Sequence, residues 1–158
     1  MGIIIRYDSE FALSEAVKQM LIAGLSDEIK ATHNVVAWFD PAAWEAGENK
    51  IVALSTDGSS QSTSAANSDM VIEVGVRTVL TQAKIEEKYN LHRVVVDAVR
   101  CFLSKPVDTM IGLINEKCEE GFSVYYCENK RDYSSDTNGS NLYSSVRFGV
   151  KCKSFRTE

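Results

Sequence analysis

Two stretches, "MVIEVGVRTVL" from Met70 and "LYSSVRFGVKC" from Leu142, alternate in side-chain character nearly throughout. A strand sends successive side chains to opposite faces, so each stretch reads as a strand with one apolar row. Met70, Ile72, Val74, Val76 and Leu80 share one face of the first, with Val71, Glu73, Gly75, Arg77 and Val79 on the other. The second divides into Leu142, Ser144, Val146, Phe148, Val150 and Cys152 against Tyr143, Ser145, Arg147, Gly149 and Lys151. This pattern demands a sheet with one buried side, and the rest of the chain must cover it. Gly75 predicts a bulge or a close neighbour. Arg77, Arg147 and Lys151 lie on a solvated face, or on a face that meets another subunit, where Arg is favoured.

The cover comes from helical segments. Asp8 and Ser9 are suitable N-caps, and Phe11, Val17, Met20, Leu21 and Ile22 form a stripe that Gly24 and "LSDE" bring to an end. "KIEEKYNLHRVVVDAVRCFLS" is the strongest helix, with Leu91, Val95, Ala98, Val99 and Phe102 at helical spacing and Ser104 and Pro106 stopping it. A further helix spans about 108–120, capped by Asp108, striped by Met110, Ile111, Ile114 and Cys118, and ended by Gly121. "KIVALS" and "FSVYYC" read as strands. The predicted architecture is one α+β domain over residues 1–158, a mainly antiparallel sheet of about four strands with helices on one face, in the order α-β-β-α-α-β-β.

Three segments resist this scheme. Val35 to Phe39 is a short strand candidate, followed by a turn or irregular stretch with Trp38 and Trp44 around Pro41 and Gly47. Two exposed tryptophans would mark a contact surface and two buried ones ordinary core; the sequence leaves both open. Residues 56–69 and 128–141 are small and polar and predict flexible loops. The second holds Lys130, Arg131 and Tyr133, which together with Trp38, Trp44, Arg77, Arg147 and Lys151 are the candidate contact residues.

Catalytic and cofactor signatures are wanting. Phosphate-loop, dinucleotide and zinc-protease motifs are not found, and His33 and His92 stand far apart in sequence. His92 reads as a helix boundary residue rather than a general base. "SDTNGSN" holds only part of a calcium loop. The cysteines, Cys101, Cys118, Cys127 and Cys152, lack zinc-site spacing and read as small core residues, with a nucleophilic Cys101 or Cys127 as the enzymatic alternative. No catalytic residue, metal or cofactor is therefore expected. The net charge of −5 argues against gripping nucleic acid by its phosphates, though not against letting it pass. No apolar run reaches the roughly 18 residues of a membrane span, and "MGIIIRYDSE" is too short for a secretory core, so the expected compartment is the cytoplasm.

"MVIEVGVRTVL", "LHRVVVDAVRCFLS", "GFSVYYCENKRDY" and "LYSSVRFGVKC" together resemble the tail-terminator and head–tail joining proteins of long-tailed bacteriophages. The resemblance runs from about Ser9 to Ser154 in its order of elements, and includes the "VRCFL"-like tract on the central helix and the closing "V-x-F-x-V". The tryptophan segment, the Ser-rich loop and the length of the second central helix depart from it. It implies a structural virion protein that assembles in the host cytoplasm as a ring, commonly a hexamer, caps the tail tube and faces the head connector. DNA would pass through without specific binding. A small α+β protein-binding module is the alternative.

Overall fold

The computed structural model describes residues 5–45, 47–57, 67–80, 84–138 and 140–154. Helices α1 (Ile5–Gly24) and α2 (Asp27–Thr32) lead into strand β1 (Asn34–Ala37), a single 3-10 turn at Pro41–Trp44, and strands β2 (Lys50–Asp57) and β3 (Asn67–Val79). Helices α3 (Ile85–Leu103) and α4 (Val107–Lys117) follow, then β4 (Phe122–Cys127), β5 (Asp132–Asn138) and β6 (Asn141–Ser154). The fold is α+β, with the helices over one curled mixed sheet.

The sheet order is β1-β2-β3-β6-β4, and β5 lies along β6 on the same side as β4. β1 and β2 are parallel; every other pairing is antiparallel. The two alternating stretches pair with each other: Ile72 faces Phe148 and Val74 faces Val146. Their apolar rows meet Leu13, Val17, Met20 and Leu21 of α1, Val95, Val99 and Leu103 of α3, and Met110 and Ile114 of α4 in one core. Spacings of three and four put these side chains on the inner face of each helix. A hydroxyl pair ties α1 to the sheet: Ser14 donates to Ser55 (2.7 Å), which donates to the Glu10 carbonyl (2.8 Å).

Several expectations change. The sheet has six strands among the described residues, not about four, and its first pair is parallel: the connection that carries the 3-10 turn Pro41–Trp44 brings the chain back to run β2 in the same direction as β1. Ser9 is buried inside α1 rather than capping it; the side-chain cap is Ser26, which accepts from the Ile29 N–H of α2. Asp108 lies in the first turn of α4, with Pro106 at the cap position. The inner face of α3 centres on His92, Val95, Val96, Val99 and Leu103, one position off the expected stripe at its end. Cys101 is exposed rather than a core residue, whereas Cys127 and Cys152 are free and buried, as their apolar setting predicted.

The largest correction concerns the expected loop at 128–141. Half of it is β5, which pairs with the first half of β6 from Asp132↔Arg147 to Asn138↔Asn141. Arg131 anchors its start by donating to the Leu103 carbonyl (2.9 Å) at the end of α3, with its guanidinium over the Phe148 ring. The other expected loop shrinks at both ends, as β2 reaches Asp57 and β3 begins at Asn67; residues 58–66 lie outside the described residues. Of the two readings of Gly75, the close neighbour holds and the bulge does not, the sheet's irregularity lying in β4 between Val124 and Tyr126. A Cβ at Gly75 would collide with the Tyr143 hydroxyl. Among the described residues no helix is long and apolar enough to cross a membrane.

Candidate functional site

Two places gather side chains capable of specific chemistry. The first is the sheet face turned away from the helices. Phe11 stacks on Trp38 (5.6 Å between centroids) and meets Phe39 edge-on, fixing the chain as it leaves β1. Asp40 holds it further, accepting from Lys18 Nζ (2.9 Å) and the Ala37 N–H (2.8 Å). The fully buried Lys50 donates to the carbonyls of Ala42 and Glu45, and Trp44 Nε1 donates to the Trp38 carbonyl. Burying an ammonium without such partners would be costly. The result is an apolar groove of about 250 Å³ between Trp38, Trp44, Val52, Leu54, Arg77 and Tyr143, with Trp44 75% exposed.

Beyond the groove the face turns polar. Tyr143 donates to Glu73 (2.8 Å), and Arg147 Nε stands 3.5 Å from the same carboxylate. Burial, with Glu73 beside it, pushes the Tyr143 phenol well above its ordinary range. The face ends in tyrosines. The β4 bulge lets Val124 and Cys127 both stay inside, although two residues separate them, and leaves Tyr125 and Tyr126 exposed. Lys151 lies over the Tyr126 ring and Lys153 over Tyr125.

Of the eight candidate contact residues, the structure brings Trp38, Trp44 and Arg77 to one groove. Arg147 and Lys151 lie farther along the same face. It separates Arg131 and Tyr133 from them. Tyr133 opposes Val146 on the helix side, lies under Arg100 (4.5 Å) and reaches Ser104 (3.3 Å), so it staples β5 to the end of α3. Lys130 is exposed at the β4–β5 connection and pairs with Asp132 (3.5 Å).

The second place was not foreseen. His33 and His92, distant in sequence, meet through one hydroxyl. Thr78 Oγ1 lies 2.8 Å from His33 Nε2 and 2.7 Å from His92 Nδ1. The chain continues from His92 Nε2 to Ser144 Oγ (2.9 Å) and on to Ser135 Oγ (3.0 Å). At its other end His33 Nδ1 meets Thr32 Oγ1 (3.0 Å), which donates to the Ile29 carbonyl (2.9 Å). His33 is fully buried and His92 nearly so. Desolvation by burial, then the neighbouring His92 and Lys88, pull the His33 pKa down to about 4; burial lowers that of His92 too. His92 is thus an inward residue rather than the expected boundary residue. Ser144 and His92 line a cleft of about 650 Å³ with Tyr89, Asn90, Arg93, Asp136 and Leu142. The sequence signal for this chain was the polar residue set in an apolar row, Thr78 in β3 and Ser144 in β6.

No family model matches the chain, and no curated protein matches it significantly. One solved structure whose name states no function shares 15% identity over 90% of this chain and 96% of its own, at a TM-score of 0.39. A likeness at that level carries no argument about fold or role.

Proposed function

We propose that this chain is a structural virion subunit of a long-tailed phage, a tail terminator or head–tail connector that assembles with copies of itself into a ring. In the form the resemblance implies the ring is a hexamer, capping the tail tube, facing the head connector and letting DNA through an unadhesive lumen, in keeping with the net charge of −5. The observation that carries the reading is the sheet face turned away from the four α-helices, with Trp38, Trp44 and Arg77 at one end and Tyr125, Tyr126 and Lys151 toward the other. Trp, Tyr and Arg are the side chains that anchor protein interfaces. Of the two thiols in the enzymatic alternative, Cys127 is buried, and burial raises its pKa, which disfavours the thiolate, while Cys101 is exposed.

Light scattering coupled to size-exclusion chromatography tests the reading. A discrete higher oligomer is expected, alone or on addition of tail-tube protein, and Trp44→Ala should shift it toward monomer while the far-UV circular dichroism of the folded chain is kept. A chain that stays monomeric at every concentration, with and without the tube protein, would sink the proposal.

A further inference from the structure

The hydrogen-bonded chain through the two histidines has a single sense, and that sense follows from its last link. The Ile29 carbonyl can only accept, so the one hydroxyl proton of Thr32 points at it. His33 Nδ1 must then donate to Thr32, which leaves His33 Nε2 as an acceptor for the Thr78 hydroxyl. Thr78 Oγ1 in turn accepts from His92 Nδ1–H, so His92 Nε2 is the bare nitrogen. Ser144 therefore donates to His92 Nε2, and Ser135 donates to Ser144. Each ring nitrogen and hydroxyl is satisfied with both imidazoles neutral, and the tautomers rest on the whole network rather than on one contact.

We propose that Ser144 is a reactive hydroxyl, with His92 as its general base, open through the adjoining cleft to small activated carboxylic esters. The arrangement has the parts such chemistry needs: a hydroxyl hydrogen aimed at an imine nitrogen, a base whose other nitrogen is held by an acceptor, and a second residue, His33, orienting that acceptor. Ser135, donating to Ser144 Oγ, stabilises negative charge as it develops there. The cleft wall adds Asn90 and Arg93 as donors for an ester carbonyl. In the reaction Ser144 Oγ bonds to the acyl carbon while its proton passes to His92 Nε2. The tetrahedral adduct then expels the alkoxide or phenoxide with its bonding electrons, and the imidazolium returns its proton to the leaving group or to water. An activated phenoxide leaves far more readily than a serine alkoxide, so acylation outruns hydrolysis of the resulting alkyl ester and the product is a persistent acyl-serine. This inference does not depend on ring assembly.

The test uses p-nitrophenyl acetate on the full chain carrying Cys101→Ser, which removes an exposed competing thiol. Expected are release of one equivalent of nitrophenolate and one acetyl group, removable by hydroxylamine as an ester is, mapping to Ser144 by peptide mass spectrometry. Ser144→Ala abolishes that adduct, and His92→Gln slows it about a hundredfold. An adduct confined to lysines, or on Ser135, overturns the assignment. So does an adduct on Ser144 that forms equally fast in His92→Gln. Because mapping is done on the histidine-intact protein, a variant that fails to fold does not shield the proposal.

Discussion

Replacing His33 by Gln should flatten much of the protein's acid sensitivity. His33 is fully buried and neutral, and its pKa falls from 6.5 to about 4 in the fold, chiefly by desolvation and then by His92 and Lys88. The unfolded chain therefore binds this proton more readily than the folded one. Stability is full above pH 6.5 and is lost as pH falls toward 4, the sign expected of a histidine buried uncharged. The loss attributable to His33 is about 2 kcal/mol near pH 5 and about 3 kcal/mol once both states are protonated. Urea unfolding between about pH 8 and about pH 4.5 measures it, with His33→Gln as the reference, since every carboxylate titrates alike in both proteins. The variant starts lower at high pH, by about 1–2 kcal/mol, because an amide does not reproduce both imidazole contacts. The two stability curves should then converge and cross as the solution is acidified, since the loss exceeds the starting gap. Curves that run parallel from end to end would refute the claim that His33 is buried and neutral.

Three more outcomes follow from the packing. Arg131→Ala removes the bond to the Leu103 carbonyl and the guanidinium over Phe148, and should cost about 1–3 kcal/mol, read from urea unfolding; no loss would mean β5 is not held there. Ellman's reagent should titrate Cys101 quickly in the native protein and Cys118, Cys127 and Cys152 only after unfolding, since burial keeps the last three protonated, Cys152 with a pKa of about 12. A Cys127 that outpaces Cys101, or a Cys101 that reacts far faster in the native protein than in the unfolded chain, would revive the cysteine-nucleophile alternative. Thr78→Val keeps the shape of the core but strands two imidazole nitrogens, so it should cost about 2–5 kcal/mol at neutral pH; a variant as stable as the parent would show that Thr78 bridges nothing.

What could be read in advance divides by mechanism. Tracts whose side chains dictate their burial were legible: the rows of β3 and β6, the stripe of α4, and the end of α3 at Ser104. β5 was not, because "DYSSDTN" has no apolar row of its own. Its strand form comes from backbone pairing with β6 and from Arg131 and Tyr133 gripping α3, which are long-range facts. β1 is only four residues long and draws its identity from the parallel partner β2. Three of the foreseen contact residues, Trp38, Trp44 and Arg77, do share a groove, yet Arg131 and Tyr133 turned out to be staples, since composition alone cannot say which face of a strand meets a helix. The histidine chain was hidden for a related reason. Its members come from separate elements, α2 and the residue after it, β3, α3, β6 and β5.

That dispersal bears on register. Apolar alternation has a period of two, so a two-residue slip of β3 against β6 would keep every inward side chain inward and violate no hydrophobic rule. Burial therefore cannot by itself select Ile72↔Phe148 over its neighbours. The polar chain can. Ser144 opposes Val76, one diagonal step from Thr78. A slip of two residues in one sense adds about two strand rises, some 7 Å, to their separation, and in the other sets them directly opposite, so neither keeps the diagonal spacing that His92 spans from α3. Several nitrogens and hydroxyls would be left buried and unpaired at about 1–3 kcal/mol each, enough to rival the net stability of a domain of this size. The same coupling reaches α2 through His33 and β5 through Ser135, so the strand without an apolar pattern is registered by a hydroxyl rather than by a hydrophobic row. The open face repeats the logic in its own way: Tyr143 reaches Glu73 only because Gly75 leaves room for the ring, and a shifted β6 would meet a side chain there instead. Both faces thus penalise the slips that the alternating rows tolerate.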